Sequence, residues 1–249
     1  MLNNFKILWH QGKQYIPDVR TSKVPGIFKG RPLITNVKVD ELKLAALCPT
    51  HAIGTSPLSL DLGRCTFCGE CAVRFPEKIA FTKDYKLSAN RREDLIIKEG
   101  EDREITLDSD LIRSEVRRYF GKSLKMRQVS AGGDNSFEWE LNATNNVQFD
   151  ISRFGIDFVA SPRHADGIVI TGPISANMAE PLEICYNAIP DPKIIILAGV
   201  DAISGGIFEG SPALDRSFLE RHQIDLYIPG NPVHPLTFIN GILSLTRRG

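Results

Sequence analysis

The chain has 249 residues, 42% of them hydrophobic and 24% charged, and its 30 basic and 30 acidic side chains cancel to a formal charge of zero. That balance supplies no basic field for bulk nucleic-acid binding, and the length allows two compact domains, each with its own core. No apolar run is long enough to cross a bilayer and the N-terminus lacks the zones of an export signal, so the expected location is the cytoplasm.

Residues 1–30 interleave Lys6, Lys13, Arg20, Lys23 and Lys29 with Phe5, Leu8, Trp9, Tyr15 and Ile16. Phe5, Leu8 and Trp9 share one face of a helix. With no companion strands, this tail reads as an extension that docks on a partner subunit or a membrane surface rather than making its own core. Residues 31–90 follow as short alternating segments, with strands expected over 33–35, 58–60 and 79–82 around cysteine loops. Within them Cys65-Thr-Phe-Cys68-Gly-Glu-Cys71 is a C-x-x-C-x-x-C run, and Cys48-Pro49 lies upstream. Such spacing wraps three thiolates round one face of an iron–sulfur cube, with Cys48 as the fourth ligand.

The cysteines that are missing sharpen this. In two-cluster bacterial ferredoxins each C-x-x-C-x-x-C-x-x-x-C-P motif sends its fourth cysteine to the other cluster. Projected back from Cys48, the spacing lands on Lys38, Glu41 and Leu44; projected forward from Cys71, it lands on Phe75, just before Pro76. Those four positions are the whole seat of one cluster, whereas Cys48, Cys65, Cys68 and Cys71 are the whole seat of the other. The expectation is an α+β ferredoxin-like module over 31–90 with one [4Fe–4S] cluster, its companion deleted entire. A structural zinc on the four thiolates is the alternative; the third cysteine of the run and the Cys-Pro favour iron–sulfur. Chain length and the lack of a secretory signal count against a disulfide framework.

Residues 91–122 read as a connector and a helix: 91–104 is charge-rich, and Asp108 or Ser109 is placed to cap an amphipathic helix through Leu111, Val116, Tyr119 and Phe120, ended by Gly121. From there to residue 249 apolar runs alternate with helical stretches. Strands are expected over 124–129, 156–160, 167–171, 194–198 and 226–228, with helices over 138–145, 178–188, 217–222 and 235–246. Continuous apolar runs are the mark of buried parallel strands, so the second domain is expected to be a doubly wound α/β sheet, flavodoxin-like in order.

Several segments here are more specific than a fold class: Ser161-Pro-Arg-His-Ala-Asp166, Met178-Ala-Glu-Pro, Gly205-Gly206 and Tyr227-Ile-Pro-Gly230-Asn-Pro-Val-His-Pro235. From about Lys122 to Leu245 the chain resembles the family of the complex I 20 kDa subunit and the small subunits of group 4 [NiFe]-hydrogenases of the formate hydrogenlyase kind. With its N-terminal half it is similar to versions of that subunit fused to a ferredoxin module. The resemblance implies a proximal [4Fe–4S] cluster held by cysteines on three loops at the carboxyl ends of the strands. This chain departs from the pattern on every loop. Asp134 and Phe137 stand where the first loop has C-x-x-C, Asp201 lies in the second loop, where relatives have Gly-Asp-Cys-Ala, and Asn231 replaces the cysteine of Pro-Gly-Cys-Pro in the third. No thiolate remains there for a proximal cluster.

An oxygen-ligand site for a harder metal from Asp134, Asp201, Asn231 and Glu138 is one alternative; a vestigial pocket with Phe137 filling part of the void is the favoured one. Cys185 reads as a small hydrophobe on a helix. The glycines of Ser130-Ala-Gly-Gly133 read as allowing close backbone approach rather than cradling a phosphate. Arg163 and His164 lie, in relatives, near the proximal cluster, and here read as supporting structure or a subunit interface; His51 lies near Cys48. No hydrolytic triad or metalloprotease motif is present.

The resemblance therefore implies an electron-transfer subunit of a multi-subunit oxidoreductase, with one [4Fe–4S] cluster and no catalytic centre of its own. Its partners would be a hydrogenase- or complex I-like large subunit, other subunits of a membrane-associated complex, and a redox partner. Its location would be peripheral, on the cytoplasmic face of the inner membrane. A structural or assembly subunit is the alternative, and a ferredoxin fused to a nucleotide- or flavin-binding domain is the third, for which no cofactor motif is found.

Overall fold

A computed structural model describes residues 2–12 and 14–246; Met1, Lys13 and 247–249 lie outside the described residues. Helix α1 (Leu2–Gln11) presents Phe5, Leu8 and Trp9 at i, i+3 and i+4, and all three are exposed. Beyond it, residues 14–30 are pinned at particular points. Ile16 N–H donates to the Gln148 carbonyl at 2.8 Å, the Asn240 amide donates to the Val19 carbonyl at 2.7 Å, and Val19 is 2% exposed within a core. A segment without strand partners must satisfy its backbone on whatever it crosses, and this stretch does so at these points, with Val19 seated in the second core and Ile16, Val24 and Phe28 packed against it.

Short antiparallel pieces follow. β1 (Pro32–Ile34) pairs with β4 (Ile79–Phe81), while β2 (Ile53–Gly54), β3 (Ser59–Asp61) and β5 (Ile96–Lys98) form a second sheet in the order β2-β3-β5; α2 (Glu41–Ala46) and α3 (Glu70–Arg74) lie between strands. Strand β5 comes from the stretch that composition marks as a connector. Its Ile97 sits opposite Leu60, each 1% exposed; two buried side chains, Leu95 and Ile97, are enough to seat a strand whose charged neighbours disguise it. Helix α4 (Ser114–Phe120) starts later than expected. The Asp108 carboxylate accepts from the Asp110 N–H at 2.9 Å, and Asn90 brackets the Asp108 backbone with two bonds of 2.8 Å, so Asp108 closes a turn instead of capping the helix.

The remainder is a five-stranded, wholly parallel sheet of β6 (Leu124–Ser130), β7 (Ile156–Phe158), β8 (Gly167–Thr171), β9 (Ile194–Ala198) and β10 (Leu226–Ile228), ordered β10-β9-β8-β6-β7. Numbered from the first strand of the sheet this is the 2-1-3-4-5 flavodoxin-like order, with the reversal between β6 and β8. Helices α5 (Ser136–Ala143), α6 (Ala176–Asn187), α7 (Val200–Ser204), α8 (Ser217–Arg221) and α9 (Pro235–Thr246) complete it. Period-two alternation sends Ile168, Ile170, Ile195 and Leu197 into one core with Leu182 and Phe218, and Val169, Ile194, Ile196 and Ile228 into the other with Ile239 and Ile242 of α9. The first core runs on without a break into Leu60, Leu87 and Ile97 of the cysteine-bearing half. That half also covers the sheet's open edge: Ala89 and Tyr227 exchange N–H···O bonds of 2.8 and 3.0 Å.

Candidate metal centre and the strand-end loops

Cys48, Cys65, Cys68 and Cys71 line one pocket together with Leu47, Ile53, Leu60 and Gly69, and all four are free thiols. Cys65 and Cys71 are buried, Cys48 is half-buried and Cys68 is exposed at the rim. Phe67 (φ 54) and Gly69 (φ 82) both take the left-handed conformation, folding the run back on itself between successive cysteines. The Ala52 N–H donates to Cys48 Sγ and the Phe67 N–H to Cys65 Sγ, each at 3.3 Å. Burial drives the Cys65 thiol far above its ordinary pKa, and Cys71, Cys48 and Cys68 push it further the same way. Burial likewise pushes Cys71 up to about 11, with Cys68 and Cys48 adding to it. The four groups feel one another, and as free thiols the buried pair is protonated at neutral pH, so a metal centre here displaces protons as it forms.

The loop entering this pocket is anchored by Asp61, a residue without a motif. Its carboxylate takes both Arg92 nitrogens at 2.8 and 2.6 Å and the Gly63 N–H at 2.8 Å, while its carbonyl accepts the Cys65 N–H at 2.9 Å. The four positions expected to be the seat of the deleted cluster do not line this pocket. Leu44 is fully buried in the first core with Phe75 packed against it, whereas Lys38 and Glu41 border a separate shallow depression. Lys78 at that depression is 1% exposed, and its ammonium is paired with Glu99 and donates to the Val37 carbonyl at 2.8 Å. His51 is exposed, and only its backbone N–H reaches Cys48, donating to the carbonyl at 3.2 Å.

At the carboxyl ends of the parallel strands the chain is closely packed. Phe137 is 1% exposed, and a Cβ placed on Gly199 (φ 99) would fall 1.8 Å from its ring. Gly133 and Gly172 meet backbone to backbone, a Cβ on Gly172 falling 2.5 Å from the Gly133 nitrogen. The Asp134 carboxylate accepts from the Ser136 N–H at 3.0 Å and its hydroxyl at 2.6 Å, and these bonds hold it below the usual carboxylate range. Asp201 is 8% exposed, against the Gly206 backbone, and burial together with the Asp134 charge pushes it up to about 6 despite the nearby Arg216. Glu138 is buried, takes the Thr171 hydroxyl on one oxygen and has no partner for the other among the described residues. Asn231 is exposed and lines a different cavity with Glu140, His234 and Phe67.

Asp134 and Glu138 are thus bonded to local hydroxyls, Asp201 lies against the Gly206 backbone, and Asn231 lines a different cavity. Among the described residues no three His, Cys, Asp or Glu side chains, the four cysteines included, are arranged to hold a single metal ion. Arg216 is another residue no motif announces: its guanidinium donates to the carbonyls of Pro173, Asp201, Ala202 and Ile203 at 2.8–3.2 Å, tying off the end of α7. Arg163 and His164 are exposed on a turn before β8, and Cys185 is half-buried on α6 against the first core. The cysteine loop abuts α7 directly. A Cβ on Gly63 would meet Ile203 at 2.8 Å, and Arg64 pairs with Glu209 just beyond.

Residues 135–245 match the family model described as NADH ubiquinone oxidoreductase, 20 Kd subunit. The chain is 31% identical over 130 residues to the probable membrane-bound hydrogenase subunit mbhJ of Pyrococcus furiosus, a match covering 52% of this chain and 78% of that one. It is 34% identical to formate hydrogenlyase subunit 7 of Escherichia coli, over 55% of this chain and 54% of the relative. It is 38% identical to an NADH-quinone oxidoreductase subunit of Citrifermentans bemidjiense, over 43% of this chain and 62% of the relative. The chain therefore spans less than two thirds of the length of the last two.

Proposed function

The chain belongs to the NADH ubiquinone oxidoreductase 20 kDa subunit family, and we propose that it is the iron–sulfur subunit of a multi-subunit, membrane-associated oxidoreductase of the complex I and group 4 [NiFe]-hydrogenase kind. It carries one [4Fe–4S] cluster, in a ferredoxin-like N-terminal module, on Cys48, Cys65, Cys68 and Cys71. The observation that carries this proposal is the convergence of those four thiols on one pocket with backbone N–H donors on two of the sulfurs. When bound, such a cluster accepts and passes single electrons. The chain's own residues hold it: the thiolates as ligands, the Ala52 and Phe67 N–H groups as donors that offset sulfur charge, the Asp61–Arg92 pair as the anchor of the loop, and Leu47, Ile53 and Leu60 as a wall against water.

The spacing favours a cube over zinc: the third cysteine of the C-x-x-C-x-x-C run and the proline after Cys48 match iron–sulfur ligation, whereas a structural zinc is satisfied by paired C-x-x-C motifs.

The partners are a hydrogenase- or complex I-like large subunit with other subunits of the complex, and a redox partner. Among the described residues no helix is long and apolar enough to cross a membrane; attachment is peripheral, through those subunits, on the cytoplasmic face. The exposed Phe5, Leu8 and Trp9 of α1 are assigned to that contact. A second role, as a structural or assembly subunit, is favoured by Phe137, whose ring fills space beside the strand-end loops where the family's proximal cluster is expected. The test is reconstitution of the chain followed by iron and sulfide analysis, with four of each expected; zinc, or eight of each, refutes the cluster assignment. Cys65→Ser then separates the roles: an assembled but inactive complex supports electron transfer, and failed assembly alone supports the scaffold.

A further inference from the structure

We propose that Lys29 is a tuning residue for the cysteine site: its ammonium, laid over the Gly69 turn, stabilises the reduced state of the iron–sulfur centre and so raises its potential. This rests on the iron–sulfur assignment above. The contact is direct. Gly69 lies between Cys68 and Cys71, and a Cβ placed on it would meet Lys29 Cε at 2.4 Å, Cδ at 3.1 Å and Nζ at 3.3 Å. Glycine at position 69 therefore does two things: it supplies the φ of 82° that turns the loop, and it leaves the space that the end of the lysine side chain occupies.

The lysine is delivered by a pinned backbone. The Phe28 carbonyl accepts from the Lys83 ammonium at 2.6 Å, the Gly30 N–H donates to the Thr82 carbonyl at 2.9 Å, and the Arg31 N–H donates to the Asp84 carbonyl at 3.0 Å. Its charge is not spent elsewhere. Among the described residues no carboxylate pairs with it: Glu70, the nearest in sequence to the turn, is taken by Arg74 at 2.7 Å. Glu140 lines the same cavity of about 200 Å³ as Lys29, with Phe28 and Phe67 among its walls, but forms no ion pair with it. Lys29 is half-buried, so part of its field runs through protein and is screened less than that of a free surface lysine.

Reduction adds one electron, taken here from a chemical reductant such as dithionite, to a centre already ringed by four thiolates, and no proton moves. A fixed positive charge beside the loop lowers the free energy of the more negative state; net charge is one of the recognised determinants of cluster potential. Lysine acts as a charge and as an aliphatic rod, and the two are separable, because methionine keeps the rod.

The test is a redox titration of the reconstituted full chain and of Lys29→Met and Lys29→Arg, followed by visible absorbance and electron paramagnetic resonance, with iron and sulfide measured on each sample. At fixed ambient potential Lys29→Met is expected to lower the reduced-to-oxidised ratio at least tenfold, a 59 mV shift for a one-electron couple, with unchanged iron content; Lys29→Arg stays within twofold. A fully loaded Lys29→Met with an unmoved midpoint overturns the proposal and leaves the iron–sulfur assignment standing. If Lys29→Met loses its iron, Lys29→Gln is titrated, and loss there too makes the lysine structural and overturns it. A native chain that binds no iron defeats the underlying assignment instead.

Discussion

Replacing Asp201 by asparagine should make the protein more stable at neutral pH and leave it unchanged in acid. Asp201 is 8% exposed at the start of α7, and its pKa is raised from 3.8 to about 6, first by burial and then by the Asp134 charge. A carboxyl whose pKa rises on folding binds its proton more tightly in the fold, so its stabilising contribution is complete below about 4 and is lost as pH rises through 6. That rise corresponds to about 3 kcal/mol. Asparagine has the same shape and no charge to desolvate. Denaturant unfolding of the native chain and of Asp201→Asn at intervals from pH 4 to pH 8 should give curves that meet near pH 4 and separate by about 3 kcal/mol above pH 7, the variant on top. Asp134→Asn keeps the acceptor for Ser136 but removes the charge, so it should close only the smaller part of the gap. Parallel curves across the whole range would refute the assignment of a destabilising buried carboxylate.

Gly199→Ala drives a methyl into the Phe137 ring at a φ of 99° and should cost about 3 kcal/mol or more; adding Phe137→Ala should relieve the overlap but not the backbone strain, and strictly additive denaturant midpoints would count against the contact. Arg92→Lys cannot reproduce the two-nitrogen grip on Asp61 and should destabilise by about 1.5–3 kcal/mol while speeding alkylation of Cys65 in the metal-free chain; unchanged alkylation kinetics would show that the loop needs no such anchor. Across the Lys78–Glu99 pair the two single variants should differ. Glu99→Gln leaves an ammonium on a side chain 1% exposed with weaker compensation, whereas Lys78→Met leaves a carboxylate 23% exposed and open to water, so the first should be the more damaging in thermal unfolding, by about 1–2 kcal/mol. Equal losses would contradict that.

Much of the sheet was legible because buried parallel strands announce themselves as unbroken apolar runs: 167–171, 194–198 and 226–228 coincide with β8, β9 and β10, and the apolar-rich stretch 235–246 is helix α9, buried at every position but Ser244. The miss at 96–98 has the opposite cause, since a strand that needs only Ile97 and its neighbour Leu95 to hold it carries too little signal against surrounding charge. Helix α7 is five residues long, too short for periodicity, and is held by Arg216, which lies twelve residues beyond its end.

The sequence by itself determined the alternating strand–helix plan and which four cysteines form a set, because both are spacings along the chain, governed by the pitch of a strand, a helix or a tight turn. Only the tertiary structure decided that Phe137 lies against Gly199, that Asp134 and Asp201 share a field, that the N-terminal segment closes over Asn240, and that Lys29 rests on Gly69. Each of these joins residues that no local period relates, and their energies arise from packing and low-dielectric electrostatics that exist only once the chain has closed on itself.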